Sequence, residues 1–185
     1  MRRRAPSPTA NPTLYAKNKV MDLLASRDHS EKELRTKLHE SFRRSGRARQ
    51  RLNDKTIEPT SDEDKNQQTK YLAAIDEAIE FARVNGWLGS PEEISKKMAN
   101  LLHRRKKGIR YINNYLQGKG LPEVNSDRDL ELEKALALVK NKVSILSELS
   151  FAEKQKEQAR IGRFLISRGF DSETVRKVIY EKLRD

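Results

Sequence analysis

Apolar residues in this chain recur at steps of three and four, and no segment reads as a strand. A first helix is predicted from Leu14 to Arg27, with Ala16, Val20, Leu23, Leu24 and Arg27 on one face. Asp28 and His29 interrupt it. Ser30-x-x-Glu33 then opens a second helix as a capping box, in which the serine oxygen accepts an N–H that the first turn leaves unpaired and the glutamate reaches back. Leu34 and Leu38 form its stripe. A third helix runs from about Lys70 to Val84, through Leu72, Ile75, Ile79 and Ala82, and stops at Asn85-Gly86, where a left-handed cap is expected. Ser90-Pro91-Glu92-Glu93 starts a fourth helix, with Ile94, Met98, Leu101 and Leu102 inward.

Gly108 begins a fifth helix carrying Ile109, Ile112 and Leu116, which ends near Gly118-Lys119-Gly120. A sixth covers about Asp129 to Leu146 through Leu132, Leu136, Val139 and Val143. Ser150 and Glu153 form another capping box before a seventh helix that buries Ile161, Phe164 and Leu165, and Asp171 starts an eighth with Val175 and Ile179 inward. Residues 1–13 hold three prolines and no period, as expected of a disordered basic arm. From Phe42 to about Thr69 the composition turns Arg-rich and then Asp/Glu/Asn/Gln-rich, which predicts a flexible insertion at about 43–69.

Three helix pairs align without gaps. LLASRDHSEKELRTKL (23–38), LLHRRKKGIRYINNYL (101–116) and FLISRGFDSETVRKVI (164–179) superpose at offsets of 78 and 63 residues. Arg27, Arg105 and Arg168 then share one column, and Ser30, Gly108 and Asp171 share the helix-start column. The recurring arginine suggests a structural role, its stem on the buried stripe and its guanidinium on carbonyls at the helix end. The expected fold is all-α: tandem three-helix repeats forming an elongated, curved helical body. Repeat 1 would span 14–88, repeat 2 would span 89–148, and a shortened repeat 3 would span 149–185.

Composition narrows the function. Lys and Arg number 39 against 27 acids, a net charge of +12, which calls for a polyanion or an acidic protein surface. There is no cysteine, which excludes thiolate metal sites, disulfides and cysteine nucleophiles and agrees with a reducing cytoplasm. The three histidines, His29, His39 and His103, have no metal-ligand spacing, and a solvated or capping role is expected of each. No phosphate loop or catalytic constellation is present, so a non-enzymatic protein without cofactor or metal is expected. Trp87 and Phe170 follow glycines as expected wedges between units, whereas Tyr111 and Tyr115 share a helix face as either wedges or stacking platforms.

Two acid-free basic clusters carry the binding expectation. One runs from His103 to Arg110, inside an interval from Ile94 to Pro122 that holds no acid, and offers Arg104, Lys106, Lys107 and Arg110. The other offers Arg43, Arg44, Arg47 and Arg49. DNA phosphate or an acidic protein groove would suit both.

LLASRDHSEKELRTKL, NGWL, LLHRRKKGIRYINNYLQGKGL and FLISRGFDSETVRKVI closely resemble the RecX family of bacterial recombination regulators, over most of residues 14–185. The most specific match is the pattern held by Arg105, Lys107, Gly108, Ile112, Leu116, Lys119 and Gly120. Gly89-Ser90 stands where the family often has an acidic pair, and the 43–69 insertion is longer than expected. The resemblance implies a monomer that binds RecA and its filament on DNA and restrains ATP hydrolysis, strand exchange and co-protease activity in DNA repair and the SOS response. The competing expectation is a sequence-independent nucleic-acid-binding protein with no recombinase partner, which would bind naked DNA tightly and lose affinity steeply with salt.

Overall fold

The computed structural model describes the backbone of residues 10–52, 62–146 and 150–181, and the side chains of 10–45, 66–140 and 150–180. Eight helices and no strand occur among the described residues. Two compact units divide at Ser90–Pro91.

The first unit holds α1 (Pro12–Ser26), α2 (Glu31–Leu52) and α3 (Asp62–Val84). Asn11 caps α1, its side-chain oxygen accepting the Leu14 N–H at 2.9 Å, so the helix starts two residues before the apolar pattern does. Ala16 and Val20 of α1, Leu38 and Phe42 of α2, and Ala74, Ile75, Ala78, Ile79 and Ala82 of α3 make one core. Ala74, Ala78 and Ala82, one per turn along the second half of α3, let α1 lie close against it. Phe42 stacks on Tyr71 at 4.4 Å and tilts against Tyr15 at 5.2 Å. Gly86, at φ +67°, ends α3 as expected, with N–H bonds from Gly86 to Arg83 O and from Trp87 to Ala82 O. Trp87 stays half-exposed, edge-on to Phe81 at 5.3 Å.

The flexible insertion expected at 43–69 is helical wherever it is described, because α2 continues to Leu52 and α3 already begins at Asp62. Residues 53–61 lie outside the described residues, as do residues 1–9 of the expected arm. The apolar period stops at Phe42, but α2 does not. Arg, Ala, Gln and Leu are good helix formers without one.

The second unit holds α4 (Pro91–Arg104), α5 (Ile109–Gly118), α6 (Arg128–Leu146), α7 (Phe151–Ser167) and α8 (Ser172–Glu181). Ile94, Ala99 and Leu102 of α4 pack with Ile112 and Leu116 of α5 and with Leu121. Leu101, expected inward, is half-exposed, and Ser95 is buried instead, its hydroxyl donating to Pro122 O at 2.9 Å. Asn113 clamps the returning connection, donating to Val124 O at 3.1 Å and accepting from Val124 N at 3.0 Å.

Ala135 and Val139 of α6 share a core with Ile161 and Leu165 of α7, Phe170, and Val175 and Val178 of α8. Sequence order had grouped α6 with α4 and α5; its buried face packs with α7 and α8. Phe170, expected as a wedge, is wholly buried in that core. Glu153 accepts from the Ser150 N–H at 3.0 Å at the start of α7, and Asp171 accepts from the Thr174 N–H at 2.6 Å at the start of α8.

Backbone meets backbone where the α4–α5 turn touches the α7–α8 turn. The Gly108 N–H donates to Arg168 O and the Arg110 N–H to Gly169 O, both at 3.0 Å. A Cβ on Gly108 would lie 2.3 Å from the Gly169 carbonyl and the Phe170 nitrogen. Gly108→Ala should therefore push these turns apart and cost about 1–3 kcal/mol of unfolding free energy in denaturant titration; an unchanged midpoint would show that the turns do not meet.

Candidate functional site

The α4–α5 turn carries the first basic cluster. Arg104, Lys106 and Arg110 are exposed and Lys107 is half-buried. The turn closes with N–H bonds from Lys106 to His103 O at 2.8 Å and from Lys107 to Leu102 O at 3.1 Å. This geometry places Lys106 at φ +53°, the left-handed region that favours glycine, and Lys106 is the only non-glycine found there among the described residues. The matching positions that end α3, α5 and α7 are Gly86, Gly120 and Gly169.

Beneath the turn lies a buried polar network that periodicity had not revealed. Lys134 and Glu131 of α6 form an ion pair with side chains only 6% and 1% exposed. The Lys134 ammonium also donates to Lys107 O at 2.8 Å and to His103 Nδ1 at 2.7 Å, and it sits 5.7 Å from the Phe170 ring centre. The other Glu131 oxygen accepts the Ile109 N–H at 3.1 Å, capping α5, whose own cap residue Gly108 has no side chain to do so. One lysine and one glutamate thus fix both sides of the basic turn.

An ammonium can only donate, so His103 accepts at Nδ1 and carries its proton on Nε2. Burial, followed by the Lys134 charge, lowers the His103 pKa, against the opposing pull of Glu131 and Asp127. His103, expected in a solvated or capping role, is instead part of this network. His29 departs from the solvated reading too: it is 1% exposed, its Nδ1–H donates to Arg27 O at 2.9 Å, and burial is the main cause of its lowered pKa. It serves the capping role instead, while His39 is exposed.

The arginine column does not share one environment. Arg27 pairs with Glu33 at 2.5 Å and reaches Asp28 O at 3.4 Å. Arg105 is exposed, and the Arg168 guanidinium lies 5.3 Å from the Phe164 ring centre. In the helix-start column, Ser30 Oγ accepts the Glu33 N–H at 3.1 Å, Gly108 permits close approach, and Asp171 caps with its carboxylate. In the second cluster, Arg43 and Arg44 are exposed on α2, Arg44 pairing with Glu40 at 3.3 Å. Arg47 and Arg49 lie on the same helix, with side chains outside the described residues. No group of three metal-ligating side chains occurs among the described residues, and no helix there is long and apolar enough to cross a membrane.

Comparison with known proteins places this arrangement. The model of the RecX first three-helix domain matches residues 16–41, and that of the RecX third three-helix domain matches residues 129–179, which covers most of α6, α7 and α8. The Regulatory protein RecX of Yersinia enterocolitica is 26% identical over 168 residues, spanning 87% of this chain and 93% of that protein. The chain thus resembles RecX proteins at both its first and its last helical segments. The crystal structure of RecX from Lactobacillus salivarius shares the fold, with a TM-score of 0.62 at 16% identity over 95% of this chain and 98% of that one. A second crystal structure of a regulatory protein RecX matches at a TM-score of 0.57 and 16% identity, over 96% of this chain and 75% of that one. The chain is thus all-α and shares the RecX fold, with segments that match the family's first and third three-helix domains.

Two outcomes test the network. Lys134→Met would strand the Glu131 carboxylate in the interior and should cost about 3–5 kcal/mol in chemical denaturation. Adding Glu131→Gln, which keeps an acceptor for Ile109, should recover part of that loss. The histidines govern acid sensitivity. Both have folded pKa values below the ordinary 6.5, so the stability they contribute is present above pH 6.5 and is lost as pH falls through the lowered values. The melting temperature should drop on acidification from about pH 7.5 to about 5, and less steeply in His103→Gln, which accepts from Lys134 without titrating.

Proposed function

We propose that this protein binds RecA and the filament it forms on DNA, and restrains ATP hydrolysis, strand exchange and co-protease cleavage in DNA repair and the SOS response. It acts without catalysis of its own, as a cytoplasmic monomer. Arg104, Lys106, Lys107 and Arg110 make the principal contact, and Arg43, Arg44, Arg47 and Arg49 the secondary one. The likeness to RecX domains and to a Regulatory protein RecX supports the regulatory role, and the net charge of +12 supports a partner that presents phosphate or carboxylate.

The observation that carries the assignment of residues is Lys106. A left-handed backbone costs a side-chain-bearing residue about 1–2 kcal/mol. Glycine fills that position at three other helix ends in the same chain. A lysine kept at such a cost is explained by what its ammonium contacts. The buried Lys134–Glu131 pair supports the same assignment, since it holds the turn rigid from below.

Titrating the protein into RecA filaments on single-stranded DNA should lower the rate of ATP hydrolysis; no change at saturating concentration would refute the reading. Lys106→Gly is the informative variant, because it relieves the backbone while deleting the charge. Its stability should stay within about 1 kcal/mol of the parent while its potency on filaments falls. Charge reversal at Arg104, Lys106 and Lys107 together should raise the concentration needed by roughly tenfold or more, with helix content intact.

A further inference from the structure

The outward face of α5 joins aromatic rings to cations. Tyr111 and Tyr115, both 38% exposed, stand one turn apart, about 6 Å along the helix axis. Each has a lysine over its ring: Lys107 Nζ lies 4.2 Å from the Tyr111 centre, and Lys119 Nζ lies 5.7 Å from that of Tyr115. Arg110 and Asn114 are exposed on the same helix. Of the acids that follow in sequence, Glu123 and Asp129 are exposed, Asp127 is engaged in capping α6 through the Asp129 and Leu130 N–H groups, and Glu131 is buried. Ile109, Ile112 and Leu116 form the buried face, and the base of Tyr111 rests against Gly169 while its ring remains partly exposed. The α5 backbone is fixed at its start by Gly169 O and Glu131, which presents the rings on a rigid support.

We propose that this face binds an unpaired polynucleotide strand, with successive bases stacked on Tyr111 and Tyr115 and the intervening phosphates held by Lys107 and Lys119. Flat rings beside ammonium groups match both halves of a nucleotide, and stacking is indifferent to sequence. A duplex keeps its bases stacked on one another and offers the rings nothing. An acidic peptide would use the cations and leave the rings idle. The proposal deepens the reading given above by naming the strand chemistry taken by the principal basic turn, yet it can fail while the recombinase reading stands.

The test is fluorescence anisotropy of the full chain with labelled oligothymidylate, an abasic deoxyribose-phosphate chain of equal length, and the corresponding duplex. The expected order is oligothymidylate tightest. Tyr111→Ala and Tyr115→Ala should each weaken it by about tenfold, Tyr→Phe should retain binding, and the abasic chain should not respond to either alanine variant. Tyr111→Leu and Tyr115→Leu keep the apolar bulk without the flat ring; they should bind as weakly as alanine with an unchanged melting temperature. Equal affinity for the oligothymidylate and abasic chains would overturn the proposal, as would duplex binding as tight as single-strand binding. So would equally effective competition by polyglutamate. Should the parent slow RecA ATP hydrolysis yet bind both chains alike, only this inference falls.

Discussion

The second unit depends on a contact in which side chains take almost no part. The turn after α4 and the turn after α7 meet backbone to backbone, and Gly108 is the residue that lets them. Two N–H groups at the start of α5 are satisfied by carbonyls of another turn, and a third is satisfied by the Glu131 carboxylate. Once α5 is pinned there, its apolar face can close on α4 while its polar face points to solvent. Main-chain hydrogen bonding thus fixes where α5 starts, and apolar burial fixes which face it turns inward.

The Lys134–Glu131 pair answers a problem that this contact creates. Turns brought so close bury carbonyls and helix-terminal N–H groups that water cannot reach, and each would cost free energy unless paired. Lys134 serves one such carbonyl, that of Lys107, and Glu131 one such N–H, that of Ile109. Their mutual attraction keeps either from being an isolated interior charge. The cations above them are therefore displayed on a turn with little freedom to rearrange.

Helix positions and most buried stripes were legible in the sequence because a period of 3.6 residues registers wherever a helix buries one face. Val20, Leu38, Ile112, Leu116, Ile161 and Leu165 all fall on predicted stripes and are fully buried. Where the apolar period lapses, as it does after Phe42, helix propensity alone carries the signal, and the end of α2 and the start of α3 were read as irregular chain for that reason. The period also says nothing about partners: α6 shows an inward face without indicating that α7 and α8 are what it faces. The site was legible as charge, in the run from Arg104 to Arg110, and illegible as chemistry. Glu131 and Lys134, three residues apart on a charged helix, look in sequence like any solvated pair, and only the turns folded over them make them interior. The left-handed Lys106 left a trace in the alignment of helix pairs, where it falls in the column of Gly169.

The two touching turns are copies of one motif 63 residues apart, yet they contribute different parts of it. The earlier copy offers donors from the head of α5, and the later one offers carbonyls from the tail of α7. Such a head-to-tail joint has no internal symmetry to close it, and the same operation applied again would add another module. Asp171 stands in the later copy where the earlier one has Gly108, and it carries the side chain that the joint has no room for. The same column thus starts one helix by borrowing an acceptor from a neighbouring helix and the other by supplying its own.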